Sequence, residues 1–139
     1  MDRRRFLALS AATAAALPLA RAAQAAPLEY KPGLVEERLK AGETVFLDFK
    51  ASWCTTCAAQ ERVLDALKAG NPAYEQAITF INVDWDAYGK SDLAKSLKIP
   101  RRSTLVVLKG NKELGRIVAD TSKGAIQGLM DTALAAATA

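Results

Sequence analysis

Cys54 and Cys57, the two cysteines of this 139-residue chain, lie three residues apart in Trp53-Cys54-Thr55-Thr56-Cys57, directly after the apolar run 45–49. An apolar strand that ends in Trp-Cys, with a helix beginning at the first Cys, puts that sulfur at a helix N-terminus. Unpaired backbone N–H groups and the positive end of the helix dipole stabilise a thiolate there. An exposed Cys54 is then a nucleophile at neutral pH. Cys57, one turn further in, can attack a mixed disulfide formed at Cys54, so two sulfurs suffice for a thiol-disulfide cycle. The plainer uses of such a pair are poorer fits. A bridge over so short a loop removes little entropy from the unfolded chain. With no His and no further Cys, four zinc ligands of these types cannot come from one chain, and Ala58 excludes a Cys-x-x-Cys-His haem attachment.

Asp48 lies six residues before Cys54 inside the apolar run, where an unpaired carboxylate is costly to bury and where burial would raise its pKa. A strand-end acid satisfied by backbone or water is the alternative.

The elements that must position these groups follow from periodicity and punctuation. Pro32-Gly33 precedes a short amphipathic helix ended at Gly42, and residues 45–51 read as a central strand. Residues 54–68 carry Val63, Leu64 and Leu67 on one face and stop at Ala69-Gly70-Asn71-Pro72. Residues 78–83 form a buried strand, Ser91 caps a helix through Leu97, and residues 104–108 form a third strand before the turn signal Gly110-Asn111. Residues 114–118 return as a fourth strand, and Ser122 caps a closing helix. Strands separated by helices are expected to be parallel, and the tight turn makes the last pair antiparallel. The expected fold class is α/β, a mixed sheet with helices on both faces.

Residues 1–25 read as a cleavable export signal: a basic start at Arg3-Arg4-Arg5, a weakly apolar stretch 8–20, and Ala23-Gln24-Ala25 as a small-x-small cleavage site. Arg-Arg-x-Phe-Leu with a feebly hydrophobic middle resembles a twin-arginine signal. An ordinary signal peptide is the alternative, and thirteen residues interrupted by Pro18 are short for a membrane anchor. Removing this segment takes away four Arg and one Asp, so the net charge falls from +4 to about +1. Nothing then points to nucleic acid, and residues 26–139 make one domain of ordinary size.

Over that length the chain resembles the thioredoxin family, with Val45-Phe46-Leu47-Asp48-Phe49 running into Trp53-Cys54-x-x-Cys57. It is most similar to exported bacterial thioredoxin-like reductants, including the C-terminal domain of the membrane thiol-electron transporter. The resemblance implies a three-layer α/β/α sandwich, Cys54 attacking, Cys57 resolving through a redox-active disulfide, and Asp48 moving the proton of Cys57. It also implies a substrate loop of Trp53, Arg102, Ser103 and Thr104. Two departures stand out. The Lys that partners the acid from the next strand is Phe80 here, with Lys50 a candidate substitute on the acid's own strand. The family's cis-proline, just before the Thr that opens the third central strand, aligns with Ser103, which is expected to be trans. Either that holds, with Arg102 offering a positive charge near Cys54, or Pro100 is the family proline after a local insertion.

The expected activity is thiol-disulfide oxidoreduction without cofactor by a periplasmic monomer. Reduction of protein disulfides is favoured because no His lies between the cysteines, and electrons would come from a membrane thiol transporter. Reference couples span about −270 to −120 mV, and the Cys-Thr-Thr-Cys loop does not by itself place this one. The rival reading is a metal or iron-sulfur module with the thiolates as ligands, shared across two chains.

Overall fold

The computed structural model describes residues 26–139. The expected export signal therefore lies outside the described residues. Among the described residues, no helix is long and apolar enough to cross a membrane.

Five strands form one sheet in the order β1-β3-β2-β4-β5: β1 Leu28–Glu29, β2 Thr44–Lys50, β3 Ile78–Asp84, β4 Thr104–Lys109 and β5 Lys112–Val118. The helices are α1 Leu34–Lys40, α2 Thr55–Gly70, α3 Ala73–Ala77, α4 Trp85–Tyr88, α5 Asp92–Ser96 and α6 Lys123–Ala137. Ser91 and Ser122 cap α5 and α6 as expected, accepting from the N–H groups of Ala94 and Ala125 at 3.2 and 3.3 Å.

Strand alternation sorts the core into two layers. Val45, Leu47 and Phe49 of β2, with Val106 and Leu108 of β4, pack against Leu34 and Val35 of α1 and Leu93 and Ala94 of α5. Phe46, with Leu105 and Val107, packs on the other face against Leu64 and Leu67 of α2, Tyr74 of α3 and Ile126 and Met130 of α6. The fold is the expected three-layer α/β sandwich. By the same alternation Asp48 and Lys50 share the face of Phe46, under α2.

The structure corrects four expectations. β4 is antiparallel to β2, with Phe49 opposite Thr104, whereas strands separated by helices were expected to run parallel. A parallel return needs a crossover along the length of the sheet. Here the connection after β3 carries only the short α4 and α5, so the chain turns back and re-enters from the end at which it left. β1, α3 and α4 were not expected at all. β5 starts at Lys112 rather than 114, because Lys112 and Glu113 on an outer strand are exposed and carry no apolar signal. Finally, α2 starts at Thr55 with Cys54 as its N-cap.

Candidate active site

β2 delivers the chain to the site and α2 takes it away. Cys54 N–H donates to Ala51 O at 3.1 Å, closing the turn after β2. At φ −90° and ψ 113°, Cys54 is extended, so its side chain folds back over the first turn of α2 and its Sγ accepts the Cys57 N–H at 3.1 Å. Cys54 and Cys57 are joined as a disulfide with their Cα atoms 5.3 Å apart. Contrary to expectation, Cys54 is not exposed: 3% of its surface is accessible, and 2% of that of Cys57. Trp85 and Ala51 pack against the pair, and the 101–103 loop closes on it.

Ser103 makes that closure. Fully buried, it puts Oγ 3.2 Å from Cys54 Sγ and 3.1 Å from Cys57 Sγ. Its φ is 66°, a conformation costly for a residue with a Cβ and kept only where surroundings enforce it. Three bonds do so. Ser103 N–H donates to Phe49 O at 2.7 Å, while Ser103 O accepts from Ala119 N–H at 2.8 Å and from Gln60 Nε2 at 3.1 Å. No peptide bond among the described residues is cis. Pro100 is exposed. Ser103, not Pro100, therefore occupies the place facing the cysteines.

Arg102 lies with its guanidinium carbon 4.5 Å over the Trp53 ring, which places a positive charge beside the residue preceding Cys54. Trp53 is 55% exposed, and its Nε1–H is held by Asp86 at 3.0 and 3.1 Å. Thr104 is buried at the start of β4, its hydroxyl donating to Arg101 O at 2.6 Å.

Asp48 is 6% exposed, and its Oδ1 has no hydrogen-bond partner. Burial pushes its carboxyl up to about 7; Lys50 and Lys68 oppose the shift and Glu61 adds to it. Lys50 is bound to Glu61 of α2 at 2.8 Å. Burial pulls Lys50 down, but its bond to Glu61 and the charge of Asp48 hold it above the ordinary value. At the position where the resembling family has Lys, the Phe80 ring supports the ammonium of Lys68 at 4.0 Å. The positive charge near the acid thus comes from β2 and α2 instead of β3. A crevice of about 50 Å³, roomy enough for water, reaches Asp48. A separate groove of about 360 Å³ runs past both cysteines. Glu61 and Asn82 line both spaces.

Sequence reasoning missed Gln60, Glu61 and Asp86. Gln60 is fully buried, its Nε2 bridging the carbonyls of Ser103 and Asp120. The only available signal was a polar side chain on the helix face that also carries Cys57, Leu64 and Leu67. Glu61 stands one turn beyond Cys57, but nothing local marks its pairing with Lys50, which requires the packing of α2 on β2. Asp86 gave no signal, because its partner Trp53 is 33 residues away.

The thioredoxin family model matches residues 30–132. A thioredoxin of Echinococcus granulosus is 28% identical over 90 residues, 65% of this chain and 78% of that one. Thioredoxin H2-1 of Oryza sativa subsp. japonica is 34% identical over 74 residues, 53% of this chain and 49% of that one. Among solved structures, the crystal structure of Trxlp from Edwardsiella tarda superposes with a TM-score of 0.63 at 27% identity, covering 73% of this chain and 97% of that one. The Schistosoma mansoni thioredoxin pre-protein gives 0.61 at 22% identity, covering 77% and 97%, a likeness of fold alone. With a Cys-x-x-Cys disulfide capping α2 at the end of the central strand, the chain belongs to the thioredoxin family and is a thiol-disulfide oxidoreductase.

Proposed function

We propose that the protein is an exported, monomeric reductant of protein disulfides in the periplasm, recharged by a membrane thiol-electron transporter. The observation that carries the reaction is the Cys54 sulfur at the α2 N-terminus, already accepting a backbone N–H, with Cys57 bonded to it. Cys54 thiolate attacks a substrate disulfide, and Cys57 then displaces the substrate from Cys54. Asp48, buried under α2 and able to hold a proton near neutrality, takes the proton of Cys57, with Glu61 and Asn82 lining both the crevice at the acid and the groove at the cysteines. Support for the reducing direction is the absence of His from the Thr55-Thr56 loop. Support for export is the basic and weakly apolar character of residues 1–25. Among the described residues, no group of three or more His, Cys, Asp or Glu is placed to hold a metal ion, so the thiolate-ligand alternative would have to draw its further donors from a second chain.

Insulin reduction tests the assignment. Cys54→Ala abolishes turnover, and Cys57→Ala accumulates long-lived mixed disulfides. Turnover surviving in the Cys54 variant sinks the division of labour. The equilibrium potential against glutathione decides direction, a value near the oxidising end of about −120 mV counting against a reductant. Fusion of residues 1–25 to a reporter, with Arg3→Lys and Arg4→Lys together as control, tests the export route.

A further inference from the structure

Carboxylates outnumber cations among the charged groups that line the groove beside the disulfide. Glu29, Glu61, Asp84 and Asp86 line the groove against a single cation, Lys50, whose charge is committed to Glu61. Asp48 lies beneath on β2, Arg102 stands at the rim over Trp53, and Thr55 and Thr56 bring no charge. Carboxylates near a thiol oppose its ionisation. The donors that touch the sulfurs are the Cys57 N–H and the hydroxyl of Ser103. A disulfide sulfur is a weak acceptor and a thiolate is a strong one, so the Ser103 bond strengthens selectively on reduction.

We propose that Ser103 is a catalytic residue whose hydroxyl donates to whichever sulfur carries negative charge, taking over the stabilisation that the surrounding carboxylates withhold. This rests on the redox chemistry of the cysteines and not on the direction or location proposed above. In the reduced chain Ser103 O–H donates to Cys54 S⁻ while Cys57 S–H donates to Ser103 Oγ. Attack by Cys54 S⁻ forms a Cys54–substrate S–S bond and breaks the substrate's own. The leaving sulfur departs with the electron pair and takes a proton from water. Charge is then gone from Cys54, so when Cys57 loses its proton the hydroxyl turns to Cys57 S⁻. Cys57 S⁻ attacks Cys54 Sγ, the internal disulfide closes, and the second substrate sulfur leaves as a thiolate. Two electrons have passed from the dithiol to the substrate. Equal distances to the two sulfurs, within 0.1 Å, suit a donor that serves both in turn.

Ser103→Ala and Ser103→Gly test this together. Both remove the hydroxyl, but Ala keeps the demand of φ 66° on a Cβ and Gly relieves it, so a purely structural role makes the two diverge. The readouts are the pH midpoint of Cys54 alkylation in the reduced full chain and the equilibrium constant against glutathione. A charge-assisted bond of ordinary strength corresponds to a rise in the midpoint of about one to two pH units in both variants. The equilibrium constant moves toward the disulfide by up to about tenfold, about 30 mV for two electrons. Repeating the titration in an Asp48→Asn background removes the neighbouring carboxyl that titrates near 7. An unchanged midpoint in either folded variant overturns the proposal. Failure of wild type to reduce insulin would instead count against the reductant reading and leave this comparison intact.

Discussion

Asp48→Asn keeps the side chain's size and removes its charge. In the folded chain this carboxyl holds its proton up to about pH 7, whereas its ordinary value is 3.8. Between those limits the folded state binds more protons than the unfolded state, so stability falls as pH rises through this window and levels off above it. This is the reverse of a salt-bridged carboxylate. The gap of about three units, at ~1.4 kcal/mol each, sets a ceiling of about 4 kcal/mol on the loss. Asn has no such titration. Urea unfolding of the oxidised protein at pH 5 and pH 8, which spans about two of those three units, should show wild type losing up to about 3 kcal/mol relative to the variant, with the variant the more stable at pH 8. Mixed-disulfide release should slow in the variant while mixed-disulfide formation is nearly unchanged. Parallel pH profiles of stability in the two proteins would refute the claim that a carboxyl is buried here under strain. Equal release rates would remove Asp48 from proton transfer.

Three further changes test the surroundings. Lys50→Met removes a cation that lowers the Asp48 pKa and frees Glu61, which raises it, so the fall in wild-type stability should move to higher pH in the same unfolding assay. Ser103→Pro, which the resemblance to cis-proline relatives would suggest as benign, should cost about 3 kcal/mol or more by denaturant unfolding. Proline cannot adopt a φ of 66° and has no N–H to give Phe49 O. Gln60→Leu leaves the Ser103 and Asp120 carbonyls without their shared donor and should cost about 1–3 kcal/mol, with faster alkylation of Cys54 as the 101–103 loop loosens.

The parts legible in the sequence were those carried by chemistry or by long apolar periods. The Cys pair, the misplaced acid at 48 and the alternation of 45–49 each announce themselves within a few residues, whereas Ser103 was singled out only by the resemblance to the thioredoxin family, whose cis-proline stands at that place before the strand that begins at Thr104. Short elements were not legible because tertiary contacts create them. β1 is two residues long and exists by pairing with Ile81 and Asn82 of β3. The Asn71-Pro72 stop after α2 is also a start: Asn71 Oδ1 accepts the Ala73 N–H at 3.1 Å and launches α3. α4 is a single turn capped by Asp84. The direction of β4 was misread for the same reason, since only the brevity of α4 and α5 shows that no crossover takes place. Burial of Cys54 was invisible too, because the residue that covers it lies 49 positions away.

That distance governs the order in which the protein comes together. α2 forms from local contacts, and its first turn can already cap Cys54 when β2 is scarcely placed. Ser103 reaches the sulfurs only after a loop of 46 to 49 residues has closed and β4 has docked along β2. Closure over such a span is late and slow compared with winding a helix. In any chain whose α2 has wound before β4 docks, the nucleophile would stand uncovered, open to stray thiols and to pairing with other unfinished chains. Docking of β4 ends that exposure. The sheet's last interior strand thus acts as the closing of a guard, and slowing its arrival should show itself first as wrongly paired disulfides rather than as loss of helix.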